Sequence, residues 1–356
     1  MFSIKNTLKF FTVAVFMLIA SSVSTSANPT EETHHEEKKE INVKEIIFGH
    51  IRDAHDWHFF SIGQGHDAFH ATIPLPVILY SPTKGFSAFM SSAFHHGTEP
   101  HNGYMLNHES GKIEAEDGSK VYDFSLTKNV ISMFISLILL WFIMTGIAKK
   151  YKKGGSNTAP TGIQNAIEPV VEFIRDNVAK PSLGKNYAKY MPLLLSLFFF
   201  IWINNLLGLL PGGANLTGNI AVTLVLALIF LTVLIFKSKK AYWMHIINPP
   251  DVPFLVKMIL IPIEILGFFI KPMALAIRLF ANIFAGHTIV LSLVCLIFIF
   301  GSMNAAAGYG FSIVSVAFTV FMFFLELLVA AIQAFIFANL TAVFIGQGIE
   351  EHDEHH

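Results

Sequence analysis

Two apolar segments near the C-terminal end of the chain are too long to cross a membrane upright. The first runs for 47 residues from Phe254 to Phe300, and the second runs for 36 residues from Phe311 to Gly346. As α-helices they would measure about 70 Å and about 54 Å, whereas the hydrocarbon core of a bilayer is about 30 Å thick. We therefore expect two strongly tilted helices that pack as a hairpin through the small-residue stretch 301–310.

The composition is typical of an integral membrane protein. Hydrophobic residues make up 53% of the chain and charged residues 14%, whereas a soluble chain carries about 25% charge. Three further apolar runs have the length of single spans, at about 128–148, 190–210 and 217–236. The sequence thus predicts an all-α integral membrane protein with five membrane-crossing helices. The net charge of −1 gives no indication of nucleic-acid binding, and the single cysteine, Cys295, excludes an internal disulfide framework.

The first 27 residues have the pattern of a secretory signal peptide. Lys5 and Lys9 precede an apolar core of 11 residues, and small residues follow as far as Ala27. We expect cleavage near Ala27, and an uncleaved membrane anchor is the alternative. Cleavage would leave the new N-terminus outside the cytoplasm.

Two clusters of basic residues set the expected orientation of the spans. They lie at 149–153 and 237–240, where the first and third spans end, and basic residues favour the cytoplasmic side. The mature N-terminus is then periplasmic, which agrees with the signal peptide. We expect a membrane domain over 126–350 and a cytoplasmic tail over 351–356.

The region 28–125 is polar and holds 11 of the 16 histidines. Apolar and polar residues partly alternate around Asp117-Gly118, which is a hairpin signal. We expect a small extracytoplasmic segment that contains β-strands. The histidine spacing matches no defined metal site and no cysteine accompanies it, so a solvated histidine-rich loop is favoured over metal binding.

A stretch between the first two spans, 161–181, has the pattern of an amphipathic helix. Apolar residues recur in it at helical spacing, with polar residues between them. They are Ile163, Ile167, Val170, Val171, Ile174 and Val178. We expect this helix to lie on the cytoplasmic surface of the membrane.

The penultimate apolar segment carries four charges that are seven residues apart. Lys257, Glu264, Lys271 and Arg278 would form one stripe on a helix, because seven steps leave a drift of only about 20°. Asn282 lies one turn beyond on the same side. The lysines can snorkel to the membrane surface, but Arg278 lies deeper, where a charge costs at least about 2.5–3.5 kcal/mol.

A histidine and a glutamate on facing helices form a second candidate site. His287 is nine residues past Arg278, which puts it on the opposite face of the helix. Glu326 is the lone charge of the last apolar segment, and Gln333 follows it nearly in line. We expect His287 and Glu326 to be partners in a proton path, because histidine titrates near neutral pH. Arginine cannot release its proton, so Arg278 would be a fixed charge beside that path.

Several motifs resemble subunit a of bacterial F-type ATP synthases. They are KPMALAIRLFANIFAGH at 271–287, LELLVAAIQAFIFANLTAVF at 325–344, NNLLGLLPG at 204–212 and NPPDVPFLVKMILIPIEILG at 248–267. The resemblance covers about residues 125–350. It implies a stator subunit of the proton-translocating Fo sector in the bacterial inner membrane, with no catalysis of its own and no cofactor. The implied partners are the c-ring, the peripheral-stalk subunit b and, indirectly, the F1 sector.

The same resemblance implies roles for the polar residues of the long segments. Arg278 would face the carboxylate of each c-ring subunit, with Gln333 beside it. Asn282 would line the aqueous access, and Glu264 would belong to the cytoplasmic half-channel.

The resemblance further implies that His287 and Glu326 form the half-channel open to the outside. Many bacterial relatives have an acid in place of His287 and a histidine in place of Glu326, so this chain has the pair exchanged. Some relatives carry an acid at the position of Gly208. Its absence here makes Asn205 the candidate for the polar group that admits water.

Two other classes of function stay open at the level of the sequence. A proton-coupled secondary transporter could use Arg278 to bind an anionic substrate, but it would show internal repeats and broken helices, and no repeat is visible. A histidine-rich membrane protein that handles metal would bind metal through 28–125. The coupling ion and the ring size are also left open, with H⁺ favoured over Na⁺.

Overall fold

The computed structural model describes residues 53–62, 69–97, 99–107, 111–154, 159, 161–210, 213–238, 240–247 and 253–349. The expected signal peptide, its cleavage near Ala27 and the expected tail at 351–356 lie outside the described residues.

The described part of the chain after residue 127 is helical. Besides single turns, its helices are α1 (Lys128–Gly154), α2 (Ile163–Ile174), α3 (Tyr187–Leu209), α4 (Ile220–Lys237), α5 (Lys240–Ile247), α6 (Phe254–Met303) and α7 (Ala305–Ile349). Four stretches are long and apolar enough to cross a membrane: Lys128–Lys152, Ile163–Leu209, Phe254–Ser302 and Gly308–Ile349. A shorter apolar helix coincides with α4. The molecule is thus a mostly helical integral membrane protein.

Helices α6 and α7 are single continuous helices that pack against each other as a hairpin. The turn between them is much shorter than the predicted connection over 301–310, because only Asn304 is non-helical. Its backbone is extended, and its Oδ1 accepts a hydrogen bond of 3.0 Å from the Ala306 amide, which caps α7. Two glycines allow this closeness: a Cβ on Gly308 would lie 2.7 Å from Gly301 Cα.

Helix α3 lies at the centre of the helical part and contacts α1 and α7. Leu194 and Ile201 on α3 are fully buried. Helix α7 supplies small residues at a spacing of four: Ala330, Ala334, Ala338 and Ala342 are all fully buried. Small residues let helix backbones approach closely, so α7 can pack against both α3 and α6.

The stretch expected to form an amphipathic helix is helical but not regular. Helix α2 continues through a π-helical turn, Arg175–Ala179, into the short helix Lys180–Leu183. Ile174 and Val178 are fully buried on one side, whereas Ile163 is exposed. The polar side is a set of exposed ion pairs: Arg175 with Glu172 and Asp176, and Lys180 with Asp176.

The described residues between 53 and 127, hereafter the β region, form small antiparallel sheets. The strands are β1 (Asp56–Ile62), β2 (Phe69–Pro74), β3 (Pro76–Ser81), β4 (Gly85–Met90), β5 (Tyr104–Leu106), β6 (Ile113–Ala115) and β7 (Tyr122–Asp123). They pair as β1-β2, β4-β3-β7 and β5-β6. The core of the region comprises Val77, Leu79, Phe94, Tyr104, Ile113 and Ala115.

The prediction of a hairpin around Asp117-Gly118 is wrong. Gly118 does make a turn, with φ of 68° and its amide bonded to the Ala115 carbonyl. The flanking strands, however, pair elsewhere: β6 with β5 and β7 with β3. Burial of Ile113 and Ala115 in the core decides the pairing, because tertiary packing overrides a local turn signal.

The β region is fastened to the start of α1. The Lys128 amide donates to the Ala54 carbonyl at 3.0 Å, and the Asn129 amide donates to Asp53 Oδ1 at 3.2 Å. Nearby, buried His55 donates from Nε2 to Asp123 Oδ2 at 2.6 Å. Free amides at a helix N-terminus need such acceptors. The hydrogen bonds that cap α1 therefore also join it to the β region.

Candidate functional site

Glu326 of α7 lies directly against the backbone of Gly286 on α6. A Cβ on Gly286 would overlap the Glu326 carboxyl group, so a larger residue here would force that carboxyl to shift. Glu326 is 8% exposed, and its Oε1 is buried with no hydrogen-bond partner among the described residues. The next residue on α6 is His287, which is half-buried. The structure therefore packs Glu326 against the residue that precedes His287 in the chain.

One face of α7 carries three of the residues that matter here. Glu326, Ala330 and Gln333 follow at spacings of four and three, so they lie in line on the helix. Gln333 is 5% exposed. The Ala330 carbonyl accepts a hydrogen bond from Asn205 Nδ2 at 3.4 Å. Asn205 therefore lies about one turn from Glu326 and one turn from Gln333.

Asn205 is itself held in place on α3. It is 1% exposed, and its Oδ1 accepts a hydrogen bond of 2.7 Å from Thr217 Oγ1 in the short turn after α3. Both ends of the amide are thus engaged within the chain. A buried amide with both ends bonded is stable in an apolar interior.

Arg278 lies on the exposed side of α6. Within the described residues it has no ion-pair partner. Its neighbour Ile277 is 50% exposed, whereas Leu275 and Leu279 are buried against the rest of the molecule. A cation on such a surface is available to a group from outside the chain.

The other members of the charge stripe lie on or near the same side. Lys271 is exposed, and its ammonium lies 5.1 Å from the centre of the Phe344 ring. Lys257, Glu264 and Asn282 are half-buried. The stripe therefore forms a partly accessible polar line along an otherwise apolar helix.

The two candidate sites lie on neighbouring faces of α6. Gly286, which carries the Glu326 contact, belongs to the buried face together with Leu279 and Ile283. Arg278 belongs to the exposed face. Arg278 and Gly286 are separated by about 12 Å along the helix axis and by about 80° around it.

Ser136 and Asn204 were missed by the sequence-based search for site residues. Asn204 is fully buried and donates from Nδ2 to Ser136 Oγ at 2.9 Å, next to Asn205. A signal was available: polar residues recur in the apolar run of α1 at Asn129, Ser132 and Ser136, at helical spacing.

An apolar crevice of about 480 Å³ lies beside these polar groups. It is lined by α1, α2, α3 and α7 through residues such as Leu140, Trp202, Phe323 and Leu327. Its lining offers no proton-carrying side chain, so it is distinct from the polar site.

In the part of the chain that the structure describes, no three or more His, Cys, Asp or Glu residues gather as a metal site. The His55–Asp123 pair is a structural hydrogen bond. Burial alone would raise the pKa of Asp123, but the hydrogen bond and charge of His55, with hydrogen bonds from Ser125, lower that pKa below its ordinary value.

Comparison with known proteins decides the family. The family model described as ATP synthase A chain matches residues 130–346. ATP synthase subunit a of Chlorobium phaeobacteroides (strain BS1) is 45% identical over 239 residues, which are 66% of this chain and 68% of that protein. This chain belongs to the ATP synthase subunit a family. It is therefore a non-catalytic membrane subunit of the proton-translocating Fo sector.

Other subunit a relatives support the same assignment. ATP synthase subunit a 2 of Chlorobaculum tepidum is 43% identical over 239 residues, covering 66% of each chain. Subunit a of Anaeromyxobacter dehalogenans (strain 2CP-C) is 34% identical over 302 residues, covering 82% of this chain and 75% of that protein. Membership in the subunit a family argues against the secondary-transporter alternative. The β region has its own match, to a domain of unknown function, DUF8433, over residues 46–131.

Proposed function

We propose that this subunit a passes protons to and from the c-ring through two offset half-channels, with Arg278 between them. One observation carries the proposal: Arg278 is exposed on α6 with no ion-pair partner among the described residues, while Glu326 is buried against Gly286, further along the same helix. A charge in an apolar segment must be offset by a partner. The carboxylate of a c-ring subunit is the partner of the right charge.

The mechanism follows from the free energy of charges in lipid. A ring carboxyl that faces lipid stays protonated, because hydrocarbon disfavours the carboxylate. Opposite Arg278, the guanidinium stabilises the carboxylate, and the proton leaves. Arg278 keeps its own proton and repels protons that would pass directly between the channels. Each charge that crosses 100 mV gains about 2.3 kcal/mol, which drives the ring.

The remaining site residues are assigned by their position relative to these two sides. Glu326 and His287 form the outer half-channel. Asn205 of α3 lies about one turn from Glu326, and Gln333 lies on the same face of α7 as Glu326. On the exposed side of α6, Glu264 belongs to the cytoplasmic half-channel and Asn282 lines the aqueous access beside Arg278. The burial of Glu326, Asn205 and Gln333 supports this division.

The proposed topology places five spans in the bacterial inner membrane, with a cleaved signal peptide over residues 1–27 and a periplasmic β region. The basic clusters at 149–153 and 237–240 support cytoplasmic ends for α1 and α4. Helix α2 then lies on the cytoplasmic surface, and the C-terminus is cytoplasmic. Helices α6 and α7, with 50 and 45 residues, are about 75 and 68 Å long and must tilt strongly in a 30 Å core.

Purification of the detergent-solubilised complex tests the proposed partners. We expect the chain to copurify with a c-ring, subunit b and the F1 head. Cysteine in place of Ile277, next to Arg278, should form a disulfide with a cysteine near the ring carboxylate when Cys295 is replaced by Ala. Cysteine in place of Ile138, exposed on α1, is the matched control and should not cross-link to the ring. Failure of the Ile277 variant to cross-link in an intact complex would contradict the assignment of the Arg278 face.

A further inference from the structure

The apolar crevice beside α3 has the lining of a site for an apolar molecule. It holds about 480 Å³, and its walls are apolar side chains of α1, α2, α3 and α7. Buried residues such as Leu140, Phe199 and Ile203 form its deep part. Water inside a protein needs polar partners, so a space with this lining favours a hydrocarbon over water.

The crevice is long and narrow. Along α3 its lining extends from Phe199 to Leu210, which is about 16 Å at 1.5 Å per residue. This length is about half of the 30 Å hydrocarbon core, the share of one leaflet of the bilayer. Volume and length give a mean cross-section of about 30 Å², whereas an α-helix with its side chains needs about 80–110 Å². The crevice is therefore too narrow for a helix of a partner subunit and suits a single chain of methylene groups.

The volume of the crevice matches one acyl chain. An apolar cavity of about 150 Å³ binds benzene, which has six carbon atoms. On this scale, 480 Å³ holds about 18 carbon atoms. Acyl chains of membrane phospholipids have this size.

The rim of the crevice is open to the membrane. Leu139 of α1 and Phe323 and Leu327 of α7 line it, and they are 41%, 42% and 41% exposed. All three lie within stretches long and apolar enough to cross a membrane, so hydrocarbon surrounds their exposed surfaces. A lipid chain can therefore enter the crevice from the side.

Exposed lysines lie beyond one end of the crevice. Met144 of α1 and Ile167 of α2 line this end. Lys149 and Lys152 follow Met144 on α1, about 8 and 12 Å further along the helix axis, and both are exposed. Basic residues next to the end of a membrane span attract anionic lipid headgroups. The charge at this end of the crevice thus complements a phospholipid with a negative headgroup.

We propose that the apolar crevice is a binding site for an anionic phospholipid, which inserts one acyl chain and places its headgroup at Lys149 and Lys152. The chain fills the space between α1 and α7, both of which pack against α3. The bound lipid therefore joins the first span to the hairpin of α6 and α7. The cytoplasmic leaflet follows from the proposed topology, whereas the site itself does not depend on the proposed half-channels.

A phosphatidylglycerol with a photoreactive diazirine in its acyl chain tests the site in the assembled ATP synthase. After detergent washing and irradiation, its adducts should map to residues 139–144 and 202–210. Leu206→Trp fills the crevice from α3 and should lower the labelling of 139–144 severalfold. Ile138→Trp is the matched control, because Ile138 is 54% exposed on α1 and lies outside the lining. Labelling in this control should equal that of the wild type.

Leu139→Trp blocks the crevice without changing its deep part. Because Leu139 is exposed at the rim, a larger side chain there narrows the entrance and leaves the core intact. The labelling of 202–210 should again fall severalfold. Labelling at the wild-type level in the assembled Leu206→Trp and Leu139→Trp variants would overturn the inference.

A cysteine in the crevice tests for a protein occupant. With Cys295→Ala, Leu206→Cys should form no disulfide with cysteines placed along the membrane helix of subunit b, because a lipid chain separates them. A disulfide at this position in the intact complex would show that a partner helix covers the crevice, and it would overturn the inference.

The headgroup is tested by comparing two lipids that carry the same diazirine chain. Phosphatidylglycerol should label the crevice severalfold more than zwitterionic phosphatidylcholine, and Lys149→Gln with Lys152→Gln should remove this preference. Lys185→Gln with Lys189→Gln makes the same change of charge on exposed lysines at the start of α3, and it should keep the preference. Equal labelling by the two lipids in the wild type would overturn the assignment of an anionic headgroup. Each of these results is independent of the activity of Arg278→Ala vesicles, which tests the proposed function.

Discussion

The exposed charges of α6 and the buried amides of α3 differ in their exposure and in whether they have partners within the chain. Arg278 is exposed and has no ion-pair partner in the described residues, whereas Asn204 and Asn205 are buried and bonded to Ser136, Ala330 and other groups of the chain. A hydrogen-bonded amide costs little in an apolar interior, but a charge costs several kcal/mol. The chain thus provides acceptors for the Nδ2 groups of both amides itself, whereas under the proposed function the partner of Arg278 belongs to another subunit.

Replacing Arg278 gives the strongest test of this difference. Arg278→Ala should abolish gradient-driven ATP synthesis and open a proton leak, because nothing then stabilises the ring carboxylate or blocks direct passage. Arg278→Lys should not restore full function, since an ammonium lacks the guanidinium fork. Synthesis and ATP-driven pumping in inverted membrane vesicles measure both effects.

The neighbouring variant Ile277→Ala serves as the control for Arg278→Ala. It removes an exposed apolar side chain from the same turn of α6 and should leave synthesis nearly unchanged. If both variants lose activity equally, the loss reflects the surface of α6 and not the charge.

The second test concerns Glu326, the acidic residue that is buried within the chain. Glu326→Ala and His287→Ala should each slow proton access from the outer side, and the double variant should be little worse than the poorer single one, because coupled sites are non-additive. The exchange His287→Glu with Glu326→His should recover more activity than either half-exchange, since two acids or two histidines repel when charged. Pumping and synthesis in vesicles compare these variants. Strictly additive losses without rescue would show that the two residues work independently.

A methyl group at Gly286 should give a smaller loss. Gly286→Ala places a Cβ where the Glu326 carboxyl lies, so the carboxyl must move while the charge remains. We expect transport to fall severalfold with normal assembly of the complex. Gly267→Ala, on the same helix, is the control, because its nearest neighbour is Lys271 Cε at 3.8 Å. Equal transport in Gly286→Ala and Gly267→Ala would argue against a role for the position of Glu326.

The smallest effect on transport is expected where a charge has its partner inside the chain. His55→Ala leaves half-buried Asp123 without the hydrogen bond from His55 and should destabilise the β region by about 1–3 kcal/mol, with synthesis maintained. The exposed histidine three residues further on, His58 of β1, provides the control His58→Ala. Limited proteolysis of the β region in the intact complex measures the difference, and equal cleavage in the two variants would contradict it.

The same pair gives a prediction for pH. The folded-state pKa of Asp123 is lowered, so its contribution is fully present above the unfolded value of about 3.9. The contribution is lost as the pH falls through the lower folded value. As the pH falls, loss of the His55–Asp123 interaction should therefore make the wild-type β region susceptible to proteolysis only below about pH 4.

Periodicity explains what could be predicted from the sequence. The helical repeat assigns each polar residue to a face, so it separates Arg278 from His287 and aligns Glu326 with Gln333 without a structure. It does not tell which helix lies opposite that face. The bond from Asn204 to Ser136 joins residues 68 positions apart, and no local pattern predicts such a contact.

Local sequence signals gave wrong predictions where tertiary packing determined the structure. Asp117-Gly118 has the residues of a hairpin turn, but its flanking strands join other partners in order to bury Ile113 and Ala115. The small-residue stretch 301–310 was expected to connect the two helices. Gly301 and Gly308 serve instead as a contact point between them, and a sequence cannot distinguish such glycines from loop glycines without the partner helix.

The one-residue turn at Asn304 has a mechanical consequence for the stator. Two helices joined by a single non-helical residue, with Gly301 against Gly308, cannot slide far along each other. If the c-ring faces Arg278 as proposed, a sideways force on α6 is transmitted to α7, and from α7 to α3, which α7 contacts. A hairpin this stiff would then hold Arg278 at a constant height while each ring subunit passes.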